Sequence, residues 1–99
     1  MQADYPASFE RDTAGTEAEW LLRLPGACGS CAVRVEGASA TVAIGSGRLL
    51  LHWSELPPRR IALMCMPRMT VGFRFEGVTD EARQAFMRYF DLYMQRGGG

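Results

Sequence analysis

Two cysteines lie three positions apart on a glycine-rich turn, Cys28 and Cys31 in the stretch PGACGSC at residues 25–31. A Cys-x-x-Cys turn can present two thiolates to one zinc ion, which proteins hold with four nitrogen or sulfur ligands. Cys65 and His52 lie on predicted strands that could approach this turn. One hypothesis is therefore a zinc site with the three cysteines as thiolate ligands and His52 as the fourth ligand.

The same pair of cysteines has two other interpretations. Thiol oxidoreductases place such a pair at the N-terminus of a helix, where the helix dipole lowers a thiol pKa. Here the pair leads instead into the strand-like sequence AVRV. A cysteine is also commonly a small buried hydrophobe. A turn that carries two unreactive thiols is therefore the structural alternative to a metal site.

Composition excludes several classes of function. The 99 residues include 11 arginines, 11 acidic residues and no lysine, so the formal net charge is zero at pH 7. The absence of lysine excludes Schiff-base chemistry and the phosphate-binding lysine of P-loops. The absence of a basic excess argues against nucleic-acid binding. No nucleophile, base and orienting group can be grouped along the sequence, so we predict a non-enzymatic protein.

The N-terminal sequence MQADYPASFERDTAG has neither a basic start nor an apolar run. It therefore does not resemble a signal peptide. The longest apolar runs are far shorter than a membrane span. We expect a cytoplasmic protein without a membrane span, in which a structural disulfide would be unusual.

Apolar residues recur mostly with a period of two, which predicts about six short strands. We expect a loosely ordered arm at residues 1–16 and a single β-rich domain over residues 17–96. The predicted strands are residues 18–24, 31–37, 40–44, 48–53, 61–66 and 69–77, with a loop at 54–60 and a hairpin connection at Pro67-Arg68. The period then changes to that of a helix, predicted over residues 79–96 with Thr79 as its N-cap.

Strands without intervening helices cannot form a parallel sheet. The predicted fold class is therefore α+β and mostly β, a curved antiparallel sheet or small barrel of about six strands with one C-terminal helix. The segments LLLHW and IALMCM are apolar on both faces, and one helix covers only one face of a sheet. We therefore expect the second face to be buried, either by closure of a barrel or by a second copy in a homodimer.

Methionines and aromatic residues are concentrated in the second half of the sequence. They favour an adaptable apolar surface or cavity that binds a protein partner or a small apolar ligand. The residues predicted to form it are Met64, Met66, Met69, Phe86, Phe90 and Tyr93. This is the leading functional prediction, and it requires no cofactor.

The segment MTVGFRFEGVTDEARQAFMRYF resembles the end of PilZ domains, where a strand of the form G-[VF]-x-F leads into a C-terminal helix. Residues 72–75 match that strand and residues 82–90 match the helix. The resemblance implies a small barrel and, as a further alternative, a degenerate PilZ-like cyclic-dinucleotide signalling module. Arg11 lacks the second arginine of the PilZ arm, and Ser39 lacks the acidic residue and glycine of the PilZ turn. For such variants the resemblance implies a protein-interaction module.

The whole chain, and especially its ending FDLYMQRGGG, also resembles a family of small uncharacterised bacterial proteins. This second resemblance implies a free-standing domain and adds no activity.

Overall fold

The computed structural model describes residues 4–97, which form a five-stranded antiparallel sheet and two helices. In chain order the elements are β1 (Ser8–Ala14), α1 (Glu17–Ala27), β2 (Val33–Glu36), β3 (Ser39–Ile44), β4 (Gly47–Ile61), β5 (Met64–Glu76) and α2 (Asp80–Gly97). The strand order is β1-β5-β4-β3-β2, so β1 and β2 form the edges of an open sheet. The predicted α+β, mostly β fold with an antiparallel sheet and a C-terminal helix is confirmed, and α2 agrees with the helix predicted over residues 79–96.

One face of the sheet carries the core. Alternate residues of β4 and β5 point toward it, and Leu51 and Phe73 are almost completely buried there. The ring of Phe90 on α2 meets that of Phe73 edge-on, with 5.6 Å between the centroids. Trp20 on α1 meets Trp53 on β4 in the same way, also at 5.6 Å. Both helices therefore pack on this one face.

The opposite face of the sheet is polar. Glu10, Gly72 and His52 lie side by side across β1, β5 and β4, and the side chains of Glu10 and His52 are exposed. Within the LLLHW segment only Leu50 and His52 point to this face, and Leu50 is half-buried. The expected barrel closure therefore does not cover this face, because the sheet is open with β1 and β2 at its edges, and burial by a second copy stays a prediction.

The segment predicted as the first strand forms α1 instead. Thr16 accepts a hydrogen bond from the N–H of Glu19 (3.2 Å), and the Glu19 carboxylate accepts one from the N–H of Thr16 (2.9 Å). This reciprocal capping box begins the helix. Trp20 and Leu24, one helical turn apart, are buried, whereas Leu22, which alternates with them, is 82% exposed. The helical period therefore prevails over the period of two.

Most of the predicted N-terminal arm is part of the sheet. β1 pairs with β5 along its whole length. Before it, the backbone N–H and carbonyl oxygen of Tyr5 bond to the side chain of Gln84 on α2 (3.0 and 2.8 Å). The predicted loose arm is thus ordered at residues 5 and 8–14, because Tyr5 bonds to α2 and β1 pairs with β5 along one edge. Residues 1–3 of the predicted arm lie outside the described residues.

The hairpin of β4 and β5 is longer than predicted. Its turn is formed by Ala62 and Leu63, and the predicted connection at Pro67-Arg68 lies within β5. Residues 54–60, predicted as a loop, belong to β4. The pairing register shifts at Pro57-Pro58, where neither residue can donate a hydrogen bond to the ladder. The prolines therefore interrupt the pairing without ending the strand.

Candidate functional site

The turn at residues 25–31 ends α1. Cys28 is the C-cap residue, and its N–H donates to the carbonyl oxygen of Leu24 (3.1 Å). Gly29 follows with a φ of 64°, a conformation that glycine adopts without steric cost. The N–H of Cys31 then donates to the carbonyl oxygen of Cys28 (3.1 Å). The Cys-x-x-Cys spacing here is the geometry of a helix C-terminus.

The glycines of this turn are contact points for α2. A Cβ atom on Gly26 would overlap the side chain of Tyr93, and one on Gly29 would lie 3.3 Å from the ring of Tyr89. Glycine at both positions therefore lets the two helices approach closely. The glycine-rich sequence that resembles a zinc-binding turn has this packing role.

The predicted zinc ligands lie on different parts of the molecule. Burial, and secondarily the neighbouring Cys31, raises the pKa of the Cys28 thiol to about 12, so this group is protonated at neutral pH. Cys65 is exposed near the hairpin turn, and His52 is exposed on the polar face of the sheet. Within residues 4–97 no three His, Cys, Asp or Glu side chains form a group that could hold a metal ion. The structure therefore does not assemble the predicted Cys28/Cys31/Cys65/His52 set.

The six residues predicted to bind a partner divide into two groups. The group that lies in the core or packs against it is Met69, Phe86, Phe90 and Tyr93. The other two, Met64 and Met66, are 63% and 40% exposed near the hairpin turn. The predicted surface is therefore not continuous, and of the six residues only Met64 and Met66 are exposed.

Those two methionines belong to a projecting ribbon, residues 57–67, which we call the hairpin tip. β3 pairs with β4 no further than His52, and β1 pairs with β5 no further than Arg68. Beyond these points the hairpin is two-stranded, and it extends roughly 15 Å past the end of β1 at about 3.3 Å per residue. The ribbon ends at the turn residues Ala62 and Leu63.

Apolar side chains cover one face and the turn of the hairpin tip, because Ile61, Met64 and Met66 share a face and Leu63 lies in the turn. The four large ones are Ile61, Leu63, Met64 and Met66, and they range from 40% exposed to fully exposed. Neither α1 nor α2 covers these side chains, so folding gains little from their apolar character. No other segment of the described chain groups as many exposed large apolar side chains.

The hairpin tip is also basic. Residues 57–67 contain Arg59 and Arg60 and no acidic residue, although the whole chain has no net charge. The rest of the chain therefore carries a net charge of −2. Arg59 and Arg60 form no ion pair with any residue between 4 and 97. The tip thus combines an apolar end with uncompensated positive charge.

The base of the hairpin tip is fixed to the sheet. Arg68 Nε donates to the carbonyl oxygen of Pro57 across the hairpin (2.9 Å), and the Arg68 guanidinium lies 3.6 Å from the carboxylate of Asp12 on β1. The N–H of Gly15 donates to the carbonyl oxygen of Pro67 (2.9 Å). The apolar end therefore projects from an ordered base.

A cleft of about 560 Å³ lies between β1, α1 and α2. Its apolar lining is Trp20, Phe73, Phe90 and Met94, and its charged lining is Arg11, Asp12, Arg23 and Asp91. Arg11 and Asp91 are paired across it, with 2.8 Å between Nη1 and Oδ1. The hydroxyl of Tyr5 donates to Asp91 Oδ2 (2.7 Å), and burial together with this bond raises the pKa of Tyr5.

The sequence contained a signal for the hairpin tip that the period-two interpretation missed. The prediction selected Met64 and Met66 but not Ile61, Leu63 or the adjacent arginines. The run IALMCM is apolar throughout and is bounded by Pro57-Pro58 and Pro67. Prolines are confined to edge strands, so this pattern indicates a ribbon outside the sheet and not a doubly covered strand.

The chain was compared with known proteins. A scan against models of protein families matched none of them, and a search of curated proteins found no significant match. The residues that carry the resemblance to PilZ domains, 72–75 and 82–90, lie on β5 and α2. Within the described part of the chain, no helix has the length and apolar character needed to cross a membrane.

Proposed function

We propose that the protein is a non-enzymatic interaction domain that binds a protein partner through the hairpin tip. The observation that carries the proposal is the exposure of four large apolar side chains at the end of a ribbon with a fixed base. Apolar groups grouped on a surface, with no share in the core, are typical of interaction sites.

The prolines of the tip determine how a partner can bind. Pro57 and Pro58 on β4 and Pro67 on β5 have no N–H to donate to an added strand. Extension of the sheet by a partner strand is therefore disfavoured at the base of the ribbon. The turn residue Leu63 and its neighbours instead insert as side chains into a groove on the partner.

The composition of the tip specifies the chemistry of that groove. Methionine and arginine are both enriched at protein–protein interfaces, and methionine adapts its shape to irregular apolar surfaces. Arg59 and Arg60 favour a groove with an acidic rim. Residues 56–68 contain no aromatic side chain, although aromatic residues are the usual contacts with a membrane interface. A protein groove with an apolar floor and an acidic rim therefore fits the tip better than a lipid surface.

Site-specific photo-crosslinking tests the proposal. A photoreactive amino acid replaces Leu63 in one variant and Leu22 in the matched control, because Leu22 is also strongly exposed but lies on α1. We expect a discrete protein adduct from position 63 in cells and none from position 22. Titration calorimetry with the purified partner should then show binding weakened by about tenfold or more in Leu63→Ser and unchanged in Leu22→Ser.

Three results would contradict the proposal that the hairpin tip binds a protein partner. Adducts of equal yield at both positions would show that the tip is no more reactive than any exposed leucine. Flotation with phosphatidylcholine–phosphatidylglycerol vesicles that is lost in Leu63→Ser would make the membrane surface the partner. A dimer in sedimentation that Leu63→Ser converts to monomer would make a second copy the partner.

A further inference from the structure

One edge of the sheet, along β1, carries backbone groups that bond to no other residue between 4 and 97. The carbonyl oxygen of Ala7 accepts from the N–H of Phe75 on β5 (2.7 Å), and the N–H of Gly15 donates to Pro67 (2.9 Å). Alternate residues of an antiparallel strand face the same neighbour, so the odd-numbered residues of β1 bond to β5. The N–H and carbonyl groups of the even-numbered residues therefore point outward, and these residues are Ser8, Glu10, Asp12 and Ala14.

This free edge is regular and is held at both ends. All seven residues of β1 pair with β5 in one register, without a bulge. Before β1, Tyr5 bonds to Gln84 on α2, and after it Gly15 bonds to β5 and the capping box of Thr16 begins α1. β1 contains no proline and no lysine, two of the residues that commonly protect an edge from added strands. Its backbone is therefore already in the conformation that a partner strand requires.

The other edge of the sheet, β2, offers a much shorter surface. β2 has four residues. The N–H of Ala43 on β3 donates to the carbonyl oxygen of Ala32 (2.9 Å), so the even-numbered residues of β2 bond to β3. Only the backbone groups of Val33 and Val35 within β2 point outward. A very short edge strand is itself a protection against strand addition, so we expect an added strand at β1 and not at β2.

The side chains along the free edge of β1 make the polar face of the sheet acidic there. Glu10 and Asp12 are exposed on this face. The residue opposite Glu10 on β5 is Gly72, which has no side chain, and Glu10 forms no ion pair within the described chain. The Asp12 carboxylate lies 3.6 Å from the Arg68 guanidinium and is 62% exposed. Both carboxylates are therefore accessible to a basic side chain on an added strand.

The opposite side of β1, toward the helices, adds no further charge. Arg11 lies on this side and is paired with Asp91 on α2, with 2.8 Å between Nη1 and Oδ1. The other β1 side chains on this side, those of Phe9 and Thr13, are uncharged. The charge that an added strand must match therefore comes from the two acidic residues of the polar face.

A second copy of β1 fits this edge poorly. The registers centred on Glu10, Arg11 or Asp12 pair most of β1 with itself, and each of them places two carboxylates directly opposite one another. Like charges directly opposite on neighbouring strands destabilise the pair. A strand with basic side chains at the two matching positions replaces this repulsion with attraction.

We propose that the free edge of β1 binds an extended segment of another protein that has basic side chains at alternate positions. The segment adds a strand to the sheet, and its main-chain hydrogen bonds to the outward groups of β1 supply affinity. The charges opposite Glu10 and Asp12 supply specificity. The hairpin tip, residues 57–67, does not include this edge, so the proposal goes beyond the function proposed for the tip and does not depend on it.

A synthetic heptapeptide with blocked ends is the probe that tests the proposal. It matches the seven residues of β1 in length and has arginine at its third and fifth positions, threonine at both ends and valine elsewhere. In the full register its arginines lie opposite Glu10 and Asp12. Hydrogen exchange measured by NMR should slow by about fivefold or more at the amides of these two residues. It should change much less at the amides of Arg11 and Thr13, which β5 already protects.

Modified peptides separate strand addition from simple attraction of charges. Methyl groups on the amide nitrogens of both arginines remove the N–H groups that face β1, whereas methyl groups on two valines remove N–H groups on the outer side. The first form should bind about tenfold more weakly than the parent peptide, and the second should bind as the parent does. A peptide with glutamate in place of both arginines should also bind about tenfold more weakly.

Charge reversal in the protein tests the role of Glu10. Glu10→Arg should weaken binding of the arginine peptide by about fivefold and strengthen binding of the glutamate peptide, a gain that misfolding cannot produce. Glu36→Arg is the matched control, because Glu36 is an exposed acidic residue of β2, and it should leave both affinities unchanged. Circular dichroism is expected to be the same for the two variants.

The proposal is overturned if the arginine peptide at about 1 mM leaves the exchange of the Glu10 and Asp12 amides unchanged. It is also overturned if the two N-methylated forms bind equally, because the outward backbone groups would then have no role. Equal binding of the arginine and glutamate peptides would remove the basis for a basic partner. Protection of the same amides without peptide, increasing with protein concentration, would assign the edge to a second copy of the chain instead.

Discussion

The two ends of the β4–β5 hairpin are both apolar in sequence but differ completely in their exposure to water. At the end near Gly47, the inward residues of both strands lie beneath α1 and α2, and Leu51 is only 1% exposed. At the other end Leu63 is fully exposed, and Met64 beside it is 63% exposed. The two helices cover the first end and not the second. An apolar strand therefore contributes to the core only where a second layer covers it.

The two ends also differ in the faces that are apolar. At the covered end the inward side chains are apolar and the outward ones are polar, which is typical of an antiparallel sheet with one solvated face. In the hairpin tip Ile61, Met64 and Met66 share one face and are exposed, with Arg59 beside them and Arg60 on the other face. The first pattern stabilises the fold, whereas the exposed side chains of the second contribute little to folding.

The same substitution at the two ends should give the largest difference in stability. Leu51→Ala removes a buried side chain and leaves a cavity, so we expect the free energy of unfolding to fall by about 2–5 kcal/mol. Leu63→Ala removes a solvated side chain, and the change should stay within about 0.5 kcal/mol. Urea unfolding monitored by circular dichroism measures both. A loss of more than about 1 kcal/mol at Leu63 would mean that the tip is covered in solution.

The cysteines extend the comparison to chemical reactivity. A thiol with a pKa raised from 9.0 to about 12, as for Cys28, holds roughly a thousandth of the thiolate of an unperturbed thiol at pH 7–8. Iodoacetamide should therefore modify Cys28 about a thousandfold faster in denaturant than in the native protein. Cys65, exposed in the hairpin tip, should react at similar rates in both states, as measured by mass spectrometry of the peptides.

Native labelling of Cys28 at the rate of Cys65 would contradict the buried helix terminus. The same outcome would restore the possibility that the turn at residues 25–31 presents thiolates. Because the raised pKa disfavours the thiolate, labelling of native Cys28 should rise with pH throughout the range up to about 12.

Local sequence signals were sufficient for part of the fold. α2 was predictable because Thr79 is an N-cap, acidic residues occupy the first turn and the apolar residues have a helical period. α1 was not predicted, because Trp20, Leu22 and Leu24 also fit a period of two. The capping box of Thr16 and Glu19 was the signal that distinguishes the two, and it lies before the apolar run.

Tertiary contacts decided the remainder. The turn at Ala62-Leu63 contains neither glycine nor proline, so its position depends on the pairing of β4 with β5. Met69 lies three positions after Met66 and therefore on the opposite face of β5, the one that carries the core, where it is 1% exposed. Composition alone therefore could not predict which methionines are exposed. The cleft was also inaccessible to sequence analysis, because β1 was not predicted.

A smaller effect is expected where α1 ends. Gly29→Ala places a side chain at a φ of 64° and 3.3 Å from the ring of Tyr89, so we expect a loss of about 1–2 kcal/mol in urea unfolding. Gly37→Ala is the matched control, because Gly37 has a φ of 58° and no atom within 4 Å of the added Cβ. The difference between the two losses measures the helix–helix contact. If both variants lost the same free energy of unfolding, backbone strain alone would explain the loss, and the contact with Tyr89 would contribute nothing.

The smallest effect is expected at the turn of the hairpin tip. Ala62 has a φ of 54° and is the only described residue other than glycine with a positive φ. At the first central position of a two-residue hairpin turn glycine is favoured for this reason. Ala62→Gly should therefore relieve backbone strain by about 0.5–1 kcal/mol. The greater conformational entropy of glycine in the unfolded chain offsets part of this gain.

Because the tip is a two-stranded ribbon with few covered residues, this change should be local. Hydrogen exchange of the tip amides in Ala62→Gly should slow by about two- to fivefold, while the urea midpoint stays nearly unchanged. Gly45→Ala, at a φ of 58° in the turn between β3 and β4, is the reverse substitution in the covered end of the sheet, and it should lower the urea midpoint. If Ala62→Gly also moved the urea midpoint, the tip would unfold together with the core. The two ends of the hairpin would then differ in their exposure to water but not in their stability.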